Sequence, residues 1–287
     1  MKLLRFSQEE IQFLKDNYRS LGRKKCSIQL NRTLSSIASK IKKLKITCSP
    51  EEIRIRQAAP KKEAGQYKIK ENLFIKDFNV RSVYLLGLIW ADGYLQIQKH
   101  SRLRLQLIEN DARNIEPIID STGIWSKNIV YSQKGKKNLQ FSCSNPILCS
   151  FLNEQDYKNK SFLSPDKILD IIPKHLHKYF FLGYLDGDGC IFAKGKHFVI
   201  TFTSTHQQNW NFLERLCQTL KCKYYIKRYI RKNKNSKYSS FSIYGYKNCF
   251  VLGNYLYEQT ENIYLPRKYQ QFLAIQNKQL SKKTNYV

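Results

Sequence analysis

The apolar positions of this chain change their period along its length, and each change marks a different element. Ile11, Leu14 and Tyr18 recur at three and four residues, the spacing of one face of a helix. Ser7 and Glu10 form an S-x-x-E capping box that starts this helix at Gln8, and it should fade at Ser20-Leu21-Gly22. A second short helix should run through Lys24, Cys26, Ile28 and Leu30 and break at Asn31-Arg32. Thr33 or Ser35 can then cap a third, with Leu34, Ile37, Ala38, Ile41 and Leu44 as its buried face. From Thr47 to about Ile75 the periodicity lapses, and Pro50, Pro60, Lys61-Lys62 and Gly65 mark a basic linker.

Beyond the linker an internal repeat governs the pattern. Leu85-Leu86-Gly87-Leu88-Ile89-Trp90-Ala91-Asp92-Gly93 recurs as Phe181-Leu182-Gly183-Tyr184-Leu185-Asp186-Gly187-Asp188-Gly189. Each copy predicts an apolar helix that ends at the acid. After the first, Leu95 and Ile97, then Leu103, Leu105 and Leu107, alternate with polar residues, as in half-buried antiparallel strands. A helix at 111–120, strands at 129–133 and 139–143 and a helix at 145–154 complete that half. The second copy predicts strands at 191–194 and 198–205, a helix at 207–220, strands at 224–231 and 238–244 and a helix at 247–259. The fold class is therefore α+β, with two pseudo-symmetric α-β-β-α-β-β-α halves (78–178 and 179–287) behind an all-α module (1–46) and a linker (47–77).

The glycines inside the repeated helices need a reason, because Gly in a helix interior costs about 1 kcal/mol relative to Ala. A small residue at Gly87 or Gly183, followed four later by Ala91 or Gly187, lets two helices approach backbone to backbone, and the copies are each other's natural partners. Asp92 and Asp188 would then converge at two helix C-termini, each before a glycine able to take the left-handed terminating conformation. Converging carboxylates raise each other's pKa unless a cation neutralises them, and oxygen-only ligation points to Mg²⁺ rather than zinc.

Charge adds the partner. Fifty Lys and Arg face 22 Asp and Glu, a net +28, which points to a polyanion. The polar strand faces should carry Gln96, Gln98, Arg102, Arg104, Gln106, Asn138 and Gln140 in one half. In the other they should carry Lys194, Thr201, Thr203, Tyr225, Lys227, Tyr229, Arg231, Ser240 and Ser242. These groups can hydrogen-bond base edges, and no acid is among them. In the N-terminal module Ser35, Ser36, Ser39, Lys40, Lys42 and Lys43 lie outside the apolar face of the third helix, as on a recognition helix. The eight cysteines include no C-x-x-C pair and read as reduced, mostly buried thiols. No apolar run is long enough for a membrane span or a secretory signal, so an intracellular protein is expected, without a membrane partner.

On these residues the chain resembles a single-chain, two-motif LAGLIDADG homing endonuclease over roughly residues 78 to 280. Its N-terminus resembles Myb-like or phage-type helix-turn-helix modules. The resemblance implies a monomeric saddle whose two sheets straddle duplex DNA, with the last acids of the motif helices binding Mg²⁺, for which Mn²⁺ substitutes. Asp92, Asp188, Ala91 and Gly187 form the implied metal set. Lys160 and Lys268 stand at matching places where such enzymes keep a basic residue, implied to polarise the attacking water or offset charge on the phosphorane. Trp90 departs from the pattern, which has an acid there, but that position is not the metal-binding one. Cuts across the minor groove leaving short 3′ extensions are implied, and an intron-encoded or freestanding enzyme in a bacterial or phage-infected cytoplasm or an organelle. The rival readings are a non-catalytic DNA-binding regulator and a maturase that binds intron RNA.

Overall fold

The computed structural model describes residues 6–52, 72–97, 101–132, 135–231 and 236–284. They fall into two compact units, residues 1–68 and 69–287.

In the first unit α1 (Gln8–Gln29) begins at the expected capping box, with both reciprocal bonds between Ser7 and Glu10 present. Gly22 interrupts it with a left-handed backbone (φ 73), which separates the first and second of the three expected helices. Thr33 caps α2 (Leu34–Lys43). Leu14, Cys26, Ile37 and Ile41 form the small core. Leu34, expected inside, is half exposed instead, because as the first residue of its helix it precedes the turn that packs. Arg32 closes the unit with an ion pair to Glu10 (2.8 Å).

Two expectations for the linker change. Ser49 and Glu52 exchange capping bonds around a helical turn that starts at Pro50, and Phe74, in the 3₁₀ turn Asn72–Phe74, is fully buried in the core of the second unit. The second unit therefore starts upstream of residue 78. Residues 53–71, most of the expected linker, lie outside the described residues.

The second unit repeats one architecture twice. Helix α3 (Val80–Asp92) leads to β1 (Gly93–Gln96), β2 (Arg102–Ile108), α4 (Glu109–Thr122), β3 (Ser126–Tyr131), β4 (Lys137–Cys143) and α5 (Pro146–Glu154). After a short helix, α6 (Asp166–Ile171), the series recurs as α7 (His177–Asp188), β5 (Gly189–Lys194), β6 (His197–Thr205), α8 (Asn211–Thr219), β7 (Tyr225–Arg231), β8 (Ser236–Tyr244) and α9 (Tyr246–Tyr257). Helix α10 (Pro266–Thr284) is the last described element. The sheets are antiparallel, ordered β1-β2-β4-β3 and β5-β6-β8-β7. Leu103, Leu105, Leu139 and Phe141 point inward from the first, and Ile200, Phe202, Phe241 and Ile243 from the second, into one core shared with α3 and α7.

Element boundaries moved where side chains found partners elsewhere. Helix α8 starts at Asn211 rather than Gln207, because the preceding residues dock onto the other half. There the Asn209 amide donates to the Phe162 carbonyl (2.9 Å) and the buried Gln208 side chain to the Leu163 carbonyl (3.1 Å). Strand β3 starts at Ser126 rather than Ile129, since pairing with β4 outweighs the polarity of Ser126-Lys127-Asn128.

The two repeated helices pack against each other as expected. A Cβ on Gly87 would overlap the Phe180 carbonyl, and one on Gly183 would overlap the Tyr84 carbonyl. These contacts are backbone to backbone, and neither side can yield without unwinding a turn. Gly87→Leu or Gly183→Leu should therefore lower stability by at least the roughly 1–3 kcal/mol of an overpacked core. An unchanged thermal unfolding midpoint in both variants would show that the helices are not held there.

Candidate metal and DNA site

Because α3 and α7 touch along their length, their last residues meet. Ala91 packs on Gly187, and a Cβ on Gly187 would lie 3.3 Å from Asp92 Oδ2. Asp92 and Asp188 thus converge, and neither carboxylate has a hydrogen-bond donor among the described residues. Burial and then the Asp92 charge push Asp188 up to about 6, while the charges of Lys160 and Lys268 pull it back. Partial burial raises Asp92 as well, against the same two lysines.

Each helix passes into its strand with no intervening residue, and the glycine at the junction is not left-handed as expected. Gly93 (φ −74) and Gly189 (φ −91) are extended. They are glycines for lack of room: a Cβ would overlap the Ile89 or Leu185 carbonyl, and in Gly93 the Tyr157 hydroxyl too.

The two matched lysines come to the acids, in a way that their sequence positions did not show. Lys160 Nζ donates to the carbonyls of Trp90 (2.6 Å) and Ala91, and Lys268 Nζ to those of Leu185 (2.6 Å), Asp186 (2.7 Å) and Gly187 (3.4 Å). Each ammonium covers the C-terminal end of one motif helix, where the partial negative charge of the backbone adds to that of the acid. Burial brings both lysines down to about 8, opposed by the neighbouring carboxylates. Lys268 is 3% exposed and all three of its protons are engaged, so it positions the helix end and its charge rather than polarising water. Lys160, half-buried, keeps one donor. The Ala91 and Gly187 carbonyls of the expected metal set each accept a bond from one of these lysines and keep a second lone pair, while the two carboxylates have no protein donor among the described residues.

The supports behind the lysines were not visible in the sequence. Asp186, 2% exposed, accepts from the Tyr84 hydroxyl (2.7 Å) and the Leu265 amide (2.8 Å), fixing the start of α10 three residues before Lys268. Burial pushes it up to about 6. In the first half the same position is Trp90, which meets Tyr157 edge-on at 5.3 Å. Tyr157 donates to the Ile89 carbonyl (2.6 Å) and lies 5.3 Å beneath the Lys160 ammonium. Arg267 of α10 grips Asp111 of α4 with two nitrogens (2.8 Å each), joining the halves beside the acids. The unequal pair Trp90 and Asp186 was the available signal for the first of these.

Strand pairing places the expected polar residues on one face of each sheet. Arg102, Arg104 and Gln106 stand beside Ser142 and Gln140, with Gln96 paired to Arg102. Asn128 and Ser126 of β3 join that face and were missed because the strand was expected to begin later. Asn138 shares it. On the second sheet Thr201 pairs with Ser242 and Ser242 in turn with Tyr225, Thr203 pairs with Ser240 and Ser240 with Lys227, and Tyr229 and Arg231 continue the row. Lys194 lies on the same face of β5. Ser240 and Ser242 are buried, so they are recessed between larger neighbours rather than presented outward. Gln98 and the Arg231 side chain lie outside the described residues. On α2, Ser39 and Lys43 are exposed, and Ser36 and Lys40 are half-buried. The cysteines are free thiols, buried at Cys26, Cys143, Cys149, Cys217, Cys222 and Cys249 but exposed at Cys190. No described helix is long and apolar enough to cross a membrane.

Residues 176–263 match the LAGLIDADG-like domain. This stretch holds the second acid and both of its flanking elements, α7 and the second sheet. No curated protein is matched by the sequence. Among solved structures, the chain is similar to the I-LtrWI LAGLIDADG homing endonuclease bound to target DNA (16% identity, 70% of this chain and 98% of that one, TM-score 0.42). It is similar to the LAGLIDADG meganuclease I-AabMI bound to uncleaved DNA (14% identity, 71% and 92%, TM-score 0.46). A third is I-SmaMI bound to uncleaved DNA in the presence of calcium ions (12% identity, 70% and 98%, TM-score 0.38).

A carboxyl whose pKa rises from 3.8 to about 6 on folding binds more protons folded than unfolded between those values. Its contribution to stability therefore falls as pH rises through that window. Metal-free Asp188→Asn should be more stable than the parent at pH 7 by roughly 1–2 kcal/mol, after screening of the ~3 kcal/mol that such a shift represents. Thermal unfolding at pH 7 and pH 4 checks this: the advantage should vanish at the lower pH.

Proposed function

We propose that the chain is a site-specific double-strand DNA endonuclease of the homing type, hydrolysing one phosphodiester on each strand with Mg²⁺. The observation that carries this reading is the convergence of Asp92 and Asp188, two carboxylates with no protein donor among the described residues, at the junctions with two sheets whose polar faces can hydrogen-bond base edges. The donor set fits a divalent cation: oxygen only, with acidities already weakened by proximity and burial. Asp92 and Asp188 would hold the ion, which supplies Lewis-acid activation of phosphate and water when bound.

The chain's own residues do the rest. The open faces of the two sheets hold the duplex, and the junctions at Gly93 and Gly189 aim each acid at the strand between them. Lys160 and Lys268 offset the helix-end charge that would otherwise repel a phosphate, and the third proton of Lys160 is available to a phosphate oxygen. Residues 1–46 act as a tethered helix-turn-helix reader with α2 as its recognition helix. The protein works as a monomer, because both acids come from one chain, and its target belongs to an intron-homing locus.

Asp92→Asn and Asp188→Asn should each abolish cleavage of a duplex recovered by binding selection, while affinity stays within a few fold, since binding rests on many strand contacts. Either variant cutting both strands at the parent rate would remove the assignment. Deleting residues 1–46 should weaken binding, shorten the footprint on one side and flatten the log-log salt dependence by roughly 0.9 for each phosphate that the module neutralises. Cleavage at saturating protein should survive. An unchanged footprint and salt slope would mean that the module is not a DNA reader.

A further inference from the structure

The open faces of the two sheets differ in chemistry although their topology is the same. The first carries Arg102, Arg104, Gln106, Asn128, Asn138 and Gln140, with Tyr94 and Ile108 as its exposed apolar members, and strand register lines up Gln106, Gln140 and Asn128 side by side across three strands. Guanidinium and carboxamide groups are the side chains that engage two atoms of one base at once. By strand register the second face has a single guanidinium position, Arg231 at the end of β7, and no carboxamide among its described residues. That face carries Phe192, Val199, Tyr225, Tyr229, Tyr238 and Tyr244, of which Tyr225 (54% exposed), Phe192 (44%) and Tyr244 (43%) stand out furthest.

The hydroxyls of the second face are partly spent. Thr201 Oγ1 and Ser242 Oγ bond each other (3.1 Å), and Ser240 and Ser242 are buried. A hydroxyl can also turn to donate or accept, so it tolerates either kind of base edge. Lys194 and Lys227 add charge without the planar fork that fixes a base. Apolar and aromatic surface in a major groove meets chiefly the thymine methyl group.

We infer that the two halves of the target are read unequally: the half under the first sheet base by base through bidentate contacts, the half under the second loosely, by thymine methyls and groove shape. This rests on the endonuclease reading and names its substrate further, a duplex whose sequence information is concentrated on one flank.

The test is selection of the full-length protein against a randomised duplex library without Mg²⁺, so that binding is read and cutting is not. One flank should show base preferences of about 5- to 150-fold at several positions, the range of one bidentate contact. The other should show preferences below about 5-fold, apart from a bias to A·T pairs. Gln106→Ala and Arg102→Ala, both at exposed positions, should erase preference only in the sharp flank, and Thr203→Ala should leave that flank unchanged. Replacing thymine by uracil, which removes the methyl, should weaken binding more in the loose flank than in the sharp one, where bidentate contacts remain. Equal sharpness in both flanks, or a sharp flank that follows Thr203 and ignores Gln106 and Arg102, overturns the inference while the endonuclease reading stands. Enrichment of no duplex at all overturns both.

Discussion

Gly87 against the Phe180 carbonyl and Gly183 against the Tyr84 carbonyl hold two helices at backbone contact, and that closeness has an electrostatic consequence. Helices separated by side chains would leave Asp92 and Asp188 as two ordinary surface acids. At backbone contact the two acids and the two negative helix ends share one small region, and the protein must counter that charge. It does so with Lys160 and Lys268, each inserted from outside the helix pair onto the last carbonyls. The cost of burying two ammonium groups is visible in the fall of both to about 8.

The two halves solve the same problem with different materials. Lys268 is held through Asp186, which ties Tyr84 of one motif helix to the start of α10. Lys160 is held over the Tyr157 ring, braced in turn by Trp90. A chain that carries both halves can diverge in this way, because neither half has to pair with a copy of itself. The open sheet faces show the same freedom, one rich in guanidinium and carboxamide groups and the other in rings and hydroxyls.

Much of this was legible in the sequence because it rests on local periodicity and on repetition. The repeat showed that two helices end in acids, the glycines that they pack, and the alternation of Leu103, Leu105 and Leu107 which face of the strand is open. What stayed hidden depends on distant pieces of chain. That Asp186 is a buried acceptor is decided by Tyr84 and Leu265, far away in sequence. That Lys268 points at helix carbonyls depends on where α10 docks. The start of α8 moved because Gln208 and Asn209 bond the 161–163 loop, and Gly93 and Gly189 proved to be glycines through crowding rather than through backbone handedness.

The junction at each of these glycines joins the last helical residue to the first strand residue with nothing between them. A loop there would act as a hinge, letting the acid keep its place while the strand adapted to whatever lay against it. Without one, carboxylate and strand form a single lever with its fulcrum at the helix pair. On the endonuclease reading, a duplex that seated badly against the strand would carry its backbone out of line with the acid, and the stiffness of the junction would itself favour the well-seated target.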